Sequence, residues 1–299
     1  MKLKLLIINI LIFFATALYA SPVRPASEDG VLRILAIGNS FSQDAVEQYL
    51  YELFQASGQE VIIGNMFIPG CPLERHYNNS VSGEGQYKYR KIVGGVKTEY
   101  PGTSLIQGLR DEKWDVISLQ QASGRSGQYQ SYNPFLPDLV SFLKENATNA
   151  DFTLAWHMTW SYSMDSNHGE FPKYDRDQKK MYEAIVDATR SALADNPEFG
   201  MVIPSGTAIQ NGRRTILGDT FNRDGYHLDL RYGRFTAACT WFEALSGKNV
   251  CDNSFIPSVI DWKEAAIAKY AAHHLPKQGS QVRHTRPLQR ILICLLSTI

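Results

Sequence analysis

The segment ILAIGNSFSQD, Ile34 to Asp44, leaves an apolar run through Gly38 and at once presents Ser40. A serine at the carboxyl end of a strand, where a helix begins, sits among outward-pointing backbone N–H groups carrying partial positive charge. There its hydroxyl can attack a carbonyl while its own N–H helps to hold the oxyanion that forms. Such a serine needs a base. Of the seven histidines, His227 lies in FNRDGYHLDLRYGRF, three residues after Asp224 and just before a helical pattern. That spacing lets the Asp224 carboxylate accept a hydrogen bond from one ring nitrogen while the other faces the serine. A second reading of each segment is purely structural. Ser40 or Ser42 can cap a helix, and Asp224 can cap the helix that follows its turn.

These residues need a frame that brings position 40 to position 227. VLRILAI, EVIIGNMFI, WDVISL, DFTLAWHM and GMVIP are short apolar runs with strand character. Between and after them AVEQYLYELFQASG, TSLIQGL, PFLPDLVSFLKENA, YDRDQKKMYEAIVDATRSALADN, RYGRFTAACTWFEALSG and DWKEAAIAKYAAHH have helical spacing. Strands apolar throughout are expected where helices cover both faces of a parallel sheet. The pattern predicts a three-layer α/β/α sandwich with a mainly parallel five-stranded sheet. Ligands of such sheets bind beyond the carboxyl ends of the strands, so the loops after Ile37, Ile68, Leu119 and Pro204 are expected on one rim. His157, Trp156 and Trp160, in LAWHMTW, reach the same rim and are candidate substrate contacts, with Tyr162 beside them. His157 lacks an Asp-x-x partner and ranks below His227 as base. Packing is the alternative role for all four.

GNSFS near the start and DGYHLD near the end together resemble the GDSL/SGNH hydrolases. More narrowly they resemble a secreted, DUF4886-like branch whose first block reads Gly-Asn-Ser. The resemblance runs from about Leu32 to Leu245 and implies a flavodoxin-like three-layer fold. It carries Ser40 as nucleophile, His227 as base and Asp224 as its orienting partner. The family glycine matches Gly70 in GNMFIPGCPLERH, whose N–H is then an oxyanion donor. The third block departs from the family's Gly-x-Asn-Asp, because DVISLQQASG offers no asparagine. Some carbohydrate esterases of the superfamily carry a glutamine directly after this strand, which implies Gln120 as the side-chain oxyanion donor and Gln121 as the alternative. Asn39 replaces the family's usual aspartate, a position without a catalytic role in that scheme.

Composition limits the partners. The 299 residues carry a formal net charge of zero, without the basic footprint that phosphate backbones call for. No H-E-x-x-H, zinc-spaced ligand cluster or G-x-G-x-x-G is present, so neither a metal nor a nucleotide cofactor is expected. The first twenty residues, MKLKLLIINILIFFATALYA, read as a secretory signal peptide, with an uncleaved anchor as the alternative. A secreted or periplasmic protein without stable membrane insertion follows. Residues 21–30 read as a linker, 31–274 as one hydrolase domain, and 275–299 as a basic, then apolar, tail. The four cysteines lack C-x-x-C spacing; Cys239 and Cys251 can pair, or the thiols can simply be buried. The expected activity is ester hydrolysis by acyl transfer, on O-acetyl groups of carbohydrate or else on lipid or aryl esters. The competing expectation is a carbohydrate-binding protein on the same scaffold that does not turn over.

Overall fold

A computed structural model describes residues 22–274. The expected signal peptide and C-terminal tail lie outside the described residues. Seven strands form one sheet in the order β4-β3-β2-β1-β5-β6-β7. β1 (Leu32–Gly38), β2 (Val61–Phe67), β5 (Val116–Leu119), β6 (Thr153–His157) and β7 (Phe199–Ile203) are the parallel strands expected from the apolar runs. The sheet is larger than the five strands predicted. β3 (Tyr87–Val93) and β4 (Val96–Thr103) extend it as an antiparallel hairpin on the β2 edge. Gly94 and Gly95 make its two-residue turn at φ values of 56° and 78°, which suits the right-handed twist of the flanking strands.

Helices cover both faces. α1 (Ser40–Val46), α2 (Leu50–Ala56), α7 (Ser205–Arg213), α8 (Tyr232–Ser246) and α9 (Trp262–His273) pack together on one side. α3 (Leu73–Ser82), α4 (Leu105–Asp111) and α5 (Phe135–Asn146) pack together on the other, where α6 (Gln178–Asp195) covers Trp156 through Thr189. β1 and β5 are buried almost throughout, as strands between two helical layers must be. Local chemistry sets the helix starts. Ser104 and Gln107 form a capping box on α4, Asp177 caps α6, and Asp261 and Glu264 form a second box on α9.

The run AVEQYLYELFQASG, which has one helical period, folds as two short helices. Tyr49 between them takes φ 71°, and its buried hydroxyl donates to Leu230 O at 2.8 Å. The tertiary contact outweighs helix continuity. The expected linker is held to the domain at two points: Val23 N donates to Leu245 O at 3.0 Å and Ala26 N to Asp115 Oδ1 at 2.7 Å. Cys239 is a buried free thiol, so the Cys239–Cys251 pairing raised by the sequence is not formed. Cys71 is also buried and free, and burial pushes its thiol up to about 12.

α7 begins where β7 ends and presses its first turn onto the chain leaving β6. Gly206 N donates to Met158 O at 2.9 Å. A Cβ on Gly206 would lie 2.1 Å from the backbone oxygen of Thr159. Gly206→Ala is therefore expected to lower stability by about 1–3 kcal/mol through overpacking, read as a lower urea midpoint with an unchanged slope.

Candidate active site

Ser40 is the first residue of α1, half-buried at the carboxyl end of β1. It does not cap the helix. Asn39 does: its Oδ1 accepts from Phe41 N at 3.0 Å. Ser42 is turned inward, with its hydroxyl 2.8 Å from Asn39 O and 2.9 Å from Asn65 Oδ1. The Ser40 hydroxyl and N–H have no hydrogen-bond partner among the described residues. Gly38 gives the turn its room, since a Cβ there would lie 2.7 Å from Ser42 Oγ and 2.9 Å from Gln120 Cδ.

Asp224 and His227 are paired. His227 Nδ1 lies 2.7 Å from Asp224 Oδ2, and Asp224 Oδ1 accepts from His227 N at 2.8 Å. Burial works to raise the Asp224 carboxyl, but the hydrogen bonds from His227 outweigh it and hold the group below the usual carboxylate range. Gly225 between them sits at φ 89°, and a Cβ there would meet Ser166 Oγ at 2.9 Å. The His227 ring packs 4.2 Å from that of Tyr226 and 6.1 Å from that of Phe41, the residue after Ser40. Its Nε2 has no hydrogen-bond partner, and no hydrogen bond joins it to Ser40, among the described residues.

One buried carboxylate holds these two pieces together. Asp44 lies one turn after Ser40 on α1 and is fully buried. Its carboxylate accepts from Leu228 N at 2.8 Å, directly after His227. Arg234 reaches it at 2.6 Å and Arg223 at 3.3 Å. From the other side Trp160 Nε1 donates to Tyr226 O at 2.8 Å, and the Trp160 ring stacks on Phe41 at 4.2 Å.

Behind Ser40 runs a directional chain of hydrogen bonds. Asn39 Nδ2 donates to Cys71 O at 3.0 Å. Gln120 Nε2 donates to Asn39 Oδ1 at 2.9 Å, and Gln120 Oε1 lies 2.8 Å from His157 Nδ1. His157 Nε2 meets Ser205 Oγ at 3.1 Å. With Gln120 Nε2 donating, its oxygen must accept, so the His157 proton sits on Nδ1 and Ser205 donates to Nε2. Asn39, to which the family resemblance assigns no catalytic role, is the hub of this chain.

All four expected substrate contacts are placed in the core instead. Trp156 and His157 are 1% exposed, and Trp160 and Tyr162 are 0% exposed. Strand alternation sends Trp156 toward Tyr132 and Thr189, and His157 toward Trp241 and Ser205. Gln120 and Gln121 part in the same way. Gln121 Oε1 accepts from Leu73 N at 3.0 Å and Ala122 N at 2.8 Å, while its Nε2 lies 3.2 Å from both Ser131 oxygens. Its amide is fully committed. Gly70 is exposed at φ 60°, with its N–H unpartnered among the described residues. Among the described residues no group of three or more His, Cys, Asp or Glu side chains is arranged to hold a metal ion.

The family model for the Domain of unknown function (DUF4886) matches residues 33–275, the span from β1 to the end of α9. The chain belongs to the DUF4886 family. It is similar to a DUF4886 family protein from Bacteroides uniformis ATCC 8492, 52% identical over 81% of this chain and 93% of that one, with a TM-score of 0.80. Two more distant structures are similar in part. One is a putative SGNH hydrolase from Slackia heliotrinireducens, 19% identical over 72% of this chain and 99% of that one, TM-score 0.48. The other is an acetylxylan esterase from Geobacillus stearothermophilus, 12% identical over 76% and 97% of the two chains, TM-score 0.48. No curated protein matches this DUF4886 chain.

The buried charges govern how the fold responds to mutation and to acid. Asp44→Ala leaves two guanidiniums and a buried N–H without their acceptor, so stability should fall by about 3–5 kcal/mol, measurable by chemical denaturation. Burial lowers His157 and His76 from 6.5 to about 3. Both are then neutral when folded, while the unfolded chain takes up their protons below about 6.5. Their contribution to stability is present above that pH and is lost as pH falls toward 3. The urea midpoint should drop between pH 6.5 and pH 4.5, by less in His157→Gln than in the parent.

Proposed function

We propose that this protein is a serine esterase that works by acyl transfer at Ser40. The observation that carries the reading is the Asp224–His227 pair, 2.7 Å between Oδ2 and Nδ1, held against α1 by Asp44. The pair fixes the His227 proton on Nδ1 and leaves Nε2 to take the proton of the Ser40 hydroxyl as it attacks. The tetrahedral oxyanion is held by the N–H groups of Ser40 and Gly70 and by Gln120. Of the two glutamines Gln120 is the one with an amide hydrogen not already engaged, on a side chain buried directly behind Ser40. The imidazolium of His227 then protonates the leaving alcohol, and water repeats the cycle to release the acid.

O-acetyl groups on carbohydrate are the proposed substrates. Phe41 and Trp160, stacked and sealed beside Ser40, make a solid floor that suits a short acyl group. A cavity of about 460 Å³ lies elsewhere, between the N-terminal segment and Asp115, Asn149 and Thr153, and includes none of the residues proposed for catalysis. Export by the N-terminal segment is proposed to bring the enzyme to its glycan.

The test uses p-nitrophenyl acetate hydrolysis and labelling by a fluorophosphonate. Ser40→Ala should abolish labelling and cost about 10⁶ in kcat, with its melting temperature close to the parent's. Asp224→Asn should keep the fold and lose about 10⁴ in kcat. Folded parent protein that neither labels nor hydrolyses would favour the non-catalytic glycan binder.

A further inference from the structure

The segment between β6 and α6 brings a second histidine to the His227 rim. His168 is half-buried, with its ring centroid 4.7 Å from that of Tyr162 and 4.7 Å from that of Tyr226. Tyr226 in turn packs 4.2 Å from His227. One aromatic ring therefore separates His168 from the proposed base. The tautomer of His168 is set by the backbone: Glu170 N donates to its Nδ1 at 3.1 Å. An accepting Nδ1 puts the proton of the neutral ring on Nε2. Burial, then the neighbouring His227, act to lower the His168 pKa, against Glu170 and Asp224, and the net direction is down. Its Nε2–H and the Tyr226 hydroxyl have no hydrogen-bond partner among the described residues. Buried Tyr162, its hydroxyl 2.9 Å from Ser123 Oγ, backs the two rings from the core side.

Ring faces alternating with single hydroxyl and N–H donors match the surface of a polyhydroxylated ring. The apolar C–H face of a sugar stacks on an aromatic ring while its oxygens take the donors. An apolar alcohol would cover His168 Nε2–H and Tyr226 OH without pairing them, which is unfavourable for a donor taken out of water.

We propose that His168 is a substrate-binding residue whose Nε2–H donates to an oxygen of the sugar portion of the ester, with the Tyr226 ring and hydroxyl completing that subsite. This rests on the esterase reading and adds to it the part of the rim that reads the alcohol. It also moves carbohydrate recognition from Trp156 and Trp160, which are buried, to His168 and Tyr226, which are half-buried.

The experiment compares two esters of one acid: a mono-O-acetylated methyl glucoside, followed by acetate release, and p-nitrophenyl acetate. His168→Ala should lower the ratio of kcat/KM for sugar over aryl ester about tenfold, chiefly by raising KM for the sugar. His168→Gln, which can return an N–H donor near Nε2, should recover part of that ratio. Melting temperatures show whether each variant is folded. Equal loss on both esters, or an unchanged ratio, would overturn the proposal and leave the esterase standing. So would a parent that cleaves the aryl ester and not the sugar ester. A parent that cleaves neither ester would overturn the esterase reading and this one with it.

Discussion

The arrangement of this rim depends on Asp44. A carboxylate with no solvent access must be paired, because leaving a charge in the interior costs several kcal/mol. Three donors meet it: Leu228 N and Arg223 from the loop before α8, and Arg234 from the first turn of α8. The same side chain belongs to the helix that opens with Ser40. One buried charge thus joins two segments some 180 residues apart in sequence. It does so through a backbone N–H directly after His227, so the register of the histidine loop against α1 is set within one residue. A pair of apolar residues could bury comparable area, but would not select among neighbouring registers as a directional acceptor does.

A second constraint works behind the first. The chain from Ser205 through His157, Gln120 and Asn39 to Cys71 O links the ends of β7, β6, β5, β1 and β2. Each member has its partner, which is the condition under which a buried polar network rigidifies rather than weakens a core. A neutral His157 donates from Nδ1 to Gln120 Oε1 and accepts at Nε2 from the Ser205 hydroxyl. Burial that keeps the ring neutral is therefore consistent with the direction of every hydrogen bond in the series. Gly38 completes the arrangement by its lack of a side chain, since Ser42 and Gln120 occupy the space.

Much of the parallel sheet is legible in the sequence, because strands covered on both faces leave short, wholly apolar runs. The hairpin β3–β4 is not, because it carries charges on a solvent-facing edge. Its signal is the Gly-Gly between two alternating runs, in YKYRKIVGGVKTEY. α3 and α7 are polar or rich in weak helix formers, and tertiary contact decides them. At the rim, the Asp224–His227 pair is legible because its members lie three residues apart, whereas Ser40, distant in the chain, becomes a candidate only together with them. The side-chain direction of Trp156, His157, Gln120 and Gln121 is a period-two property that fixes only which of them face together. Which face is open to solvent depends on helices distant in sequence. Asn39 gives no such local signal, because its worth lies in contacts to Cys71 and Gln120, 32 and 81 residues away.

Hydrogen-bond saturation separates support from chemistry here. Unpartnered polar atoms occur in the interior too, as at His76 Nε2 and Trp241 Nε1, but nothing from solvent can reach them. The Ser40 hydroxyl, the outer nitrogens of His227 and His168 and the Tyr226 hydroxyl differ: their residues are half-buried, each held from behind by satisfied contacts. A group fixed in position and left without a partner has already lost its conformational freedom on folding. A ligand that supplies the missing partner then gains the hydrogen bond without that entropic cost. This asymmetry runs along one edge of the sheet, from the start of α1 across the His227 loop to the segment before α6. It gives a physical reason for proposing that both the esterase chemistry and the recognition of the alcohol belong there.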